Sequence, residues 1–428
     1  MQKIQSGQSF LYRNNGYNST VLETRMTERV RGDCMDVALS KIARRFPDMT
    51  QKLVERDGSY YLHPNPLSLH AANTDRFRTL GGLETGYHLI DVTYTGKLIR
   101  VAFHHSLCDG RGVKPFMETL IYYYYCCERY EQDFDHSGIL TLDTAIDPRE
   151  FEEPLPGAPY EVDQEALKAV DKDGYALPES TAGARHSYRT SISVEQHDFV
   201  TLAKRYGATP GILAAALFSE SVMKLHPDAD KAVLCNMAAD MRFAVGGSPT
   251  RRNCTGSIYL PYSKAEQDAG LSEVSSAYRA LIAEQRSEDA SKQSISMQVS
   301  LFQRLDGMET LEDKRAMMSI FEHLLLNTYV LSYVGRMQFN DFARYVESVH
   351  MYSGGIKGLT LNMVAAGNVI TFDVLQGFEG DQYAQSFARE LRGLGLECCV
   401  GETLLCETGA DHSHITASQQ PEHWCATA

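Results

Sequence analysis

The sequence has no run of about 18 consecutive apolar residues, so no transmembrane helix is expected. Its N-terminal stretch, MQKIQSGQSFLYRNN, lacks the apolar core of a secretory signal. Ten cysteines occur, but no CxxC and no disulfide-framework spacing. Reduced thiols in a cytoplasmic protein are the expectation. An excess of positive charge is also missing. Lys and Arg number 41 against 55 Asp and Glu, a formal net charge of −14. That argues against a nucleic-acid partner or an anionic membrane surface, both of which need a basic face. His412 and His414 near the C-terminus have no third ligand beside them, and no metal site is expected.

The chain has 428 residues, with 43% hydrophobic and 22% charged content, which fits a globular enzyme too long for one core. Two units are expected. Residues 131–185 are rich in Asp, Glu, Gly and Pro and read as the connection. The boundary is placed there, with residues 1–175 as the N-terminal lobe and linker and residues 176–428 as the C-terminal lobe.

One stretch organises the rest. Residues 97–112 read KLIRVAFHHSLCDGRG. Side chains alternate faces along a strand, so Ile99, Val101, Phe103 and His105 share one face, and Leu98, Arg100, Ala102 and His104 share the other. The first face is apolar until it ends in His105, which should therefore stand at a core or tunnel wall. Imidazole titrates near pH 6.5 and suits proton transfer at neutral pH. Asp109 follows, with Gly110 and Gly112 expected to supply backbone conformations that other residues resist. Apolar positions 113, 116, 117, 120, 121 and 124 then keep helical spacing.

Histidine, histidine, three residues, aspartate, glycine between a strand and a helix resembles the signature of the chloramphenicol acetyltransferase-like, or condensation-domain-like, acyltransferases. The likeness spans about residues 20–400 and is specific only at 104–110. It is nearest to standalone bacterial alcohol acetyltransferases and polyketide-associated acyltransferases. The resemblance implies an α/β (α+β) fold of two similar lobes, a pseudo-dimer of mixed sheets flanked by helices with a tunnel between them. It implies movement of an acyl group, acetyl foremost, from a coenzyme A thioester to a hydroxyl or amine. Acyl-coenzyme A is then a co-substrate and no cofactor is held permanently. His105 would be the general base, and Asp109 would pair with an arginine of the other lobe. Arg242, in Ala239-Asp240-Met241-Arg242, is the first choice and Arg336 the second. His104 and Gly110 would support the motif. Ser332, Tyr333 and Asn362 are the substrate-side candidates, since 331–336, LSYVGR, resembles a strand end lining the tunnel.

Several subfamily marks are missing. The plant Asp-Phe-Gly-Trp-Gly motif is absent, and Trp424 is the one tryptophan. The Arg-His-Glu-x-Leu-Arg segment of peptide-synthetase condensation domains is replaced by Arg44-Arg45-Phe46-Pro47. Two other readings stay open: an enzyme using an acyl carrier protein, its phosphopantetheine arm in place of coenzyme A, to form amides or esters, and a non-catalytic scaffold of the same fold.

Local signals complete the picture. Asp33 reads as a helix N-cap and residues 193–196 as a capping box. Thr209-Pro210 should start a helix. Residues 87–94 and 98–103 should form one hairpin, and 359–365 and 369–375 another. Tyr123 is expected to face outward. Arg44-Arg45 and Arg251-Arg252 read as solvated pairs, or as a patch for a phosphorylated carrier.

Overall fold

The computed structural model describes residues 1–13, 19–130, 132–157, 159–161, 173–181, 186–324 and 327–406. His412, His414, Trp424 and parts of the connection lie outside them.

Among the described residues three sheets carry the fold, flanked by helices. In the first lobe a five-stranded mixed sheet runs Val346–Ser353, Ser19–Met26, Leu98–His104, Ile90–Thr95, Ala72–Asn73. Beside it Gln2–Lys3, Ser59–His63 and Lys52–Arg56 form a small antiparallel sheet. The second lobe is built on seven strands in the order Thr255–Tyr262, Val233–Asp240, Tyr329–Arg336, Leu359–Ala366, Val369–Gln376, Tyr188–Glu195, Cys398–Leu405. Its central hairpin, Leu359–Ala366 with Val369–Gln376, is buried almost throughout. The continuous apolar runs in these strands suit a sheet covered on both faces.

Each large sheet has its own core. The first centres on Ile99, Val101 and Phe103 packed against Val113, Phe116 and Leu120 of helix Gly110–Glu128. The second centres on Leu361, Phe372 and Val374 against Leu213, Phe218 and Phe387. Fully burying each of these side chains contributes roughly 1.5–3 kcal/mol. Strand Val346–Ser353 crosses back to pair antiparallel with Ser19–Met26, and Phe302, Leu305 and Met318 join the first core. The C-terminal part of the chain therefore helps build the first lobe.

Some local expectations change. Helix Gly32–Arg45 has Arg31 at its N-cap position, so Asp33 lies in its first turn, paired with Arg31 at 2.6 Å. Strand Tyr188–Glu195 runs through the expected capping box, and Glu195 itself caps helix Gln196–Arg205 by accepting from the Asp198 N–H. Thr209 caps helix Pro210–Leu225 as its hydroxyl oxygen and the following proline suggest. Tyr123 is buried, because its hydroxyl accepts from the Leu142 N–H at 2.6 Å, and Tyr122 is the more open ring. Arg251, Arg252 and Arg45 are buried rather than solvated. Carboxylates distant in sequence draw in two of them: Arg251 binds Asp48 and Glu150, and Arg45 binds Glu150, whereas Arg252 donates to the Leu107 carbonyl and to the Gln2 and Gln51 side chains.

Candidate active site

Strand Leu98–His104 ends at the first histidine, and helix Gly110–Glu128 starts six residues later. The motif fills that short connection. His104 is enclosed: its Nδ1 lies 2.6 Å from the Ser106 hydroxyl and accepts from the Ser106 N–H at 3.2 Å. It braces the turn from the inside. His105 follows the face of Phe103 and lines a cavity of about 540 Å³ between the lobes.

Both lobes supply the walls of that cavity. Phe10, Thr20, Phe103, His105 and Gly110 come from the first, and Asn236, Thr255, Ser332 and Asn362 from the second. Among the described residues that line it, Arg13 and Lys357 are charged and none is a carboxylate. In His105, which lines the cavity, the ring nitrogen Nδ1 is buried and has no hydrogen-bond partner, while the Asn253 side chain acts on the ring in the direction of its charged form. Its carbonyl oxygen accepts from the Asn253 side-chain amide of the other lobe.

Burial pushes the His105 pKa down to about 4; nearby Arg13 lowers it too, whereas the Asp109 carboxylate pulls it upward. Removing water disfavours the charged ring. The imidazole is therefore neutral at pH 7 and has a lone pair to offer.

Asp109 does not line the cavity. It is the N-cap of the motif helix, accepting from Gly112 N–H at 2.8 Å. The carboxylate also receives the Cys254 N–H at 3.0 Å and two guanidinium contacts from Arg242, at 2.9 and 3.0 Å. Arg242 donates further to the Thr250 and Arg252 carbonyls and to Asp240. Those contacts engage all three guanidinium nitrogens. Burial alone would depress the Arg242 pKa, but Asp109 and Asp240 hold it above its ordinary value. Arg336 is exposed at the end of its strand and forms no part of this pair.

Gly110 and Gly112 differ from expectation, since neither has a positive φ. A Cβ on Gly112 would lie 2.1 Å from the Arg251 carbonyl oxygen. Close docking of the 250–256 segment, rather than an unusual φ, requires the glycine. At Gly110 a Cβ would make ordinary contact with Val334 at 3.5 Å, so this glycine opens the cavity wall.

Among the substrate-side candidates, Ser332 and Asn362 are neighbours in register on adjacent strands, and both line the cavity. The Asn362 amide donates to the Met351 carbonyl at 2.9 Å, which fixes its orientation. Tyr333 is not brought there. It is one residue out of phase with Ser332, is 37% exposed, and projects from the opposite face of the strand. Sequence reasoning missed Phe10, Arg13 and Asn253. The sequence offers a faint signal for Asn253, which opens Asn253-Cys254-Thr255-Gly256, and none for Phe10 or Arg13.

No protein-family model matches the chain, and no curated protein matches it. Solved structures do resemble it. Polyketide synthase associated protein 5 from Mycobacterium tuberculosis superposes with a TM-score of 0.59 at 11% identity, covering 91% of this chain and 96% of that one. TRI101 of F. sporotrichioides, solved with coenzyme A and T-2, gives 0.56 at 14% identity, covering 90% and 95%. The first condensation domain of the CDA synthetase gives 0.58 at 12%, covering 92% and 95%. The chain thus has the two-lobed fold shared by chloramphenicol acetyltransferase-like enzymes and condensation domains. Among the described residues, no helix is long and apolar enough to cross a membrane.

Proposed function

We propose that the protein is an acyltransferase that moves an acyl group from a thioester, coenzyme A first among donors, to a small-molecule hydroxyl or amine. The observation that carries this reading is a neutral histidine in an interlobe cavity, His105, on a turn tied across the lobes through Asp109 and Arg242. In this reading the His105 Nε2 takes the proton from the attacking oxygen or nitrogen. The nucleophile adds to the thioester carbonyl, the tetrahedral adduct expels the thiolate, and the imidazolium returns its proton to that sulfur. No metal or covalent enzyme intermediate is needed, because a thioester is already activated. A positioned base supplies about 10²- to 10⁴-fold, and holding donor and acceptor together in one cavity supplies more. In this reading Ser332 and Asn362 grip the carbonyl or the acceptor, and their place in the cavity lining supports it.

The fold likeness to TRI101, solved with coenzyme A, supports acyl-coenzyme A as donor. The test is thiol release from a panel of acyl-coenzyme A donors and acyl carrier proteins, each with hydroxyl and amine acceptors. Acceptor-dependent release that His105→Ala abolishes is expected. Release that continues unchanged in that variant would overturn the proposal.

A further inference from the structure

The first residues of the chain lie against the motif turn. A Cβ on Gly7 would lie 2.4 Å from the Ser106 carbonyl oxygen, so the two backbones touch. Glu153 clamps this segment by accepting from the Gln5 and Ser6 N–H groups at 3.2 and 2.9 Å and from the Ser6 hydroxyl at 2.6 Å. The Ile4 N–H donates to the Tyr60 carbonyl at 3.2 Å. The short helix Gln8–Leu11 then sets the Phe10 ring face to face with the His105 imidazole. Their centroids are 3.9 Å apart and the planes differ by 8°. The Arg13 guanidinium also lies over the Phe10 ring, at 5.0 Å.

The proposed chemistry asks nothing of Phe10, yet among the described residues no ring is better aligned with His105. A catalytic imidazole is usually oriented by a hydrogen bond at the nitrogen that does not react. His105 makes none there. Packing therefore bears on ring rotation at that nitrogen, alongside the Asn253 side chain, and the aromatic plane at 3.9 Å lies flat against the ring. Phe103 adds only a tilted contact at 5.9 Å.

We propose that Phe10 is a positioning residue: its ring fixes the plane of His105, aims Nε2 into the cavity, and keeps water off the imidazole face. The activity part rests on His105 being the base of the proposed reaction. The positioning part does not, and it can be read without any substrate.

The experiment compares full-length wild type with Phe10→Ala, Phe10→Leu and Phe10→Tyr. The His105 imidazole is titrated by NMR in histidine-labelled protein, with His105→Gln assigning the signal. In wild type the midpoint is expected at about 4. It should stay low in Phe10→Tyr, which keeps the plane, and move toward the ordinary 6.5 in Phe10→Ala, which admits water. Given a working donor and acceptor, Phe10→Ala should lose roughly 10- to 10²-fold in kcat with the donor KM little changed. Phe10→Tyr should restore it. Phe10→Leu should keep the low midpoint by filling the space, yet lose kcat for want of a plane.

A midpoint identical in wild type and Phe10→Ala would overturn the shielding role. Equal kcat in Phe10→Leu and wild type would overturn the orienting role. If Phe10→Ala fails to fold, the Leu and Tyr variants, which keep most of the volume, decide between plane and bulk. Absence of thiol release from wild type with every donor would count against the proposed function alone, since the titration would still read the contact.

Discussion

Arg242 and Asp109 meet in two contacts of 2.9 and 3.0 Å, although 133 residues separate them and each belongs to a different lobe. The carboxylate side of the pair also caps the helix that follows the motif turn. One interaction thus fixes three things: the lobe junction, the helix start and the placement of His105.

Removing either partner should therefore cost stability as well as activity. Breaking a buried pair by deleting one partner costs about 3–5 kcal/mol, since the other charge stays behind unpaired. Asp109→Ala and Arg242→Ala should each lower the urea midpoint clearly, with the double variant far from additive. Arg242→Lys should rescue little, because an ammonium cannot reproduce the fork that reaches Asp109, Asp240 and two carbonyls. An Asp109→Ala protein with an unchanged midpoint and no turnover would instead give Asp109 a direct chemical role.

The two motif histidines should separate cleanly. His105→Ala should lower turnover by roughly 10²- to 10⁴-fold while donor binding persists. His104 is 1% exposed and bonded to Ser106, so His104→Ala should act mainly on stability. Turnover and melting temperature measured on both variants check this. A dead His104 variant of wild-type stability beside an active His105 variant would reverse the roles.

His105 and His350 should drive stability in opposite directions with pH. Burial lowers the His105 pKa to about 4, so between there and the ordinary 6.5 the unfolded chain binds more protons. Its effect is to weaken the fold as pH falls through that window, with no further loss below it. For His350, burial lowers the pKa but Asp373, 3.1 Å away, outweighs it and the net direction is upward. Its contribution is full below 6.5 and is lost as pH rises through the raised value. Urea midpoints across pH 4–8 should accordingly slope less in acid for His105→Gln than for wild type. His350→Gln should remove the loss at the upper end.

The hairpin of Ile90–Thr95 and Leu98–His104 was legible because its apolar residues alternate and Thr95-Gly96 supplies the turn, with Gly96 at a positive φ. Parity also carried His105 to the cavity with Phe103. Strand Val346–Ser353 was not legible. Its polar residues look solvent-bound in sequence, but Tyr352 donates to Glu23 and His350 bonds Asp373, satisfactions supplied by distant strands. Arg251 misled for the same reason, since its partners Asp48 and Glu150 lie 203 and 101 residues away. Helix Glu288–Asp306 carries too few apolar residues to announce itself. Phe10 was invisible because a lone aromatic has no periodicity; only the docking of the chain start on Ser106 gives it meaning.

The two glycines of the motif should respond differently to the same added methyl group. At Gly112 the new Cβ would meet a backbone carbonyl oxygen at 2.1 Å and the Cys108 Cβ at 3.0 Å. Neither is the end of a flexible side chain, so the 250–256 segment would have to move. That segment carries the Cys254 N–H and the Arg252 carbonyl that complete the Asp109–Arg242 site. Overpacking of this kind costs about 1–3 kcal/mol and sometimes more. Gly112→Ala should lower the melting temperature and weaken turnover together. At Gly110 the same methyl would touch Val334 and Met351 side chains at 3.5 and 3.8 Å, ordinary contact distances. Its φ is not positive, and alanine is a better helix former than glycine at the first turn. Gly110→Ala should keep or raise the melting temperature while narrowing the cavity that Gly110 lines. Scanning calorimetry on the pair is the check. Equal destabilisation at both positions would mean that the motif glycines are needed for backbone conformation after all, and not for the close approach at one of them.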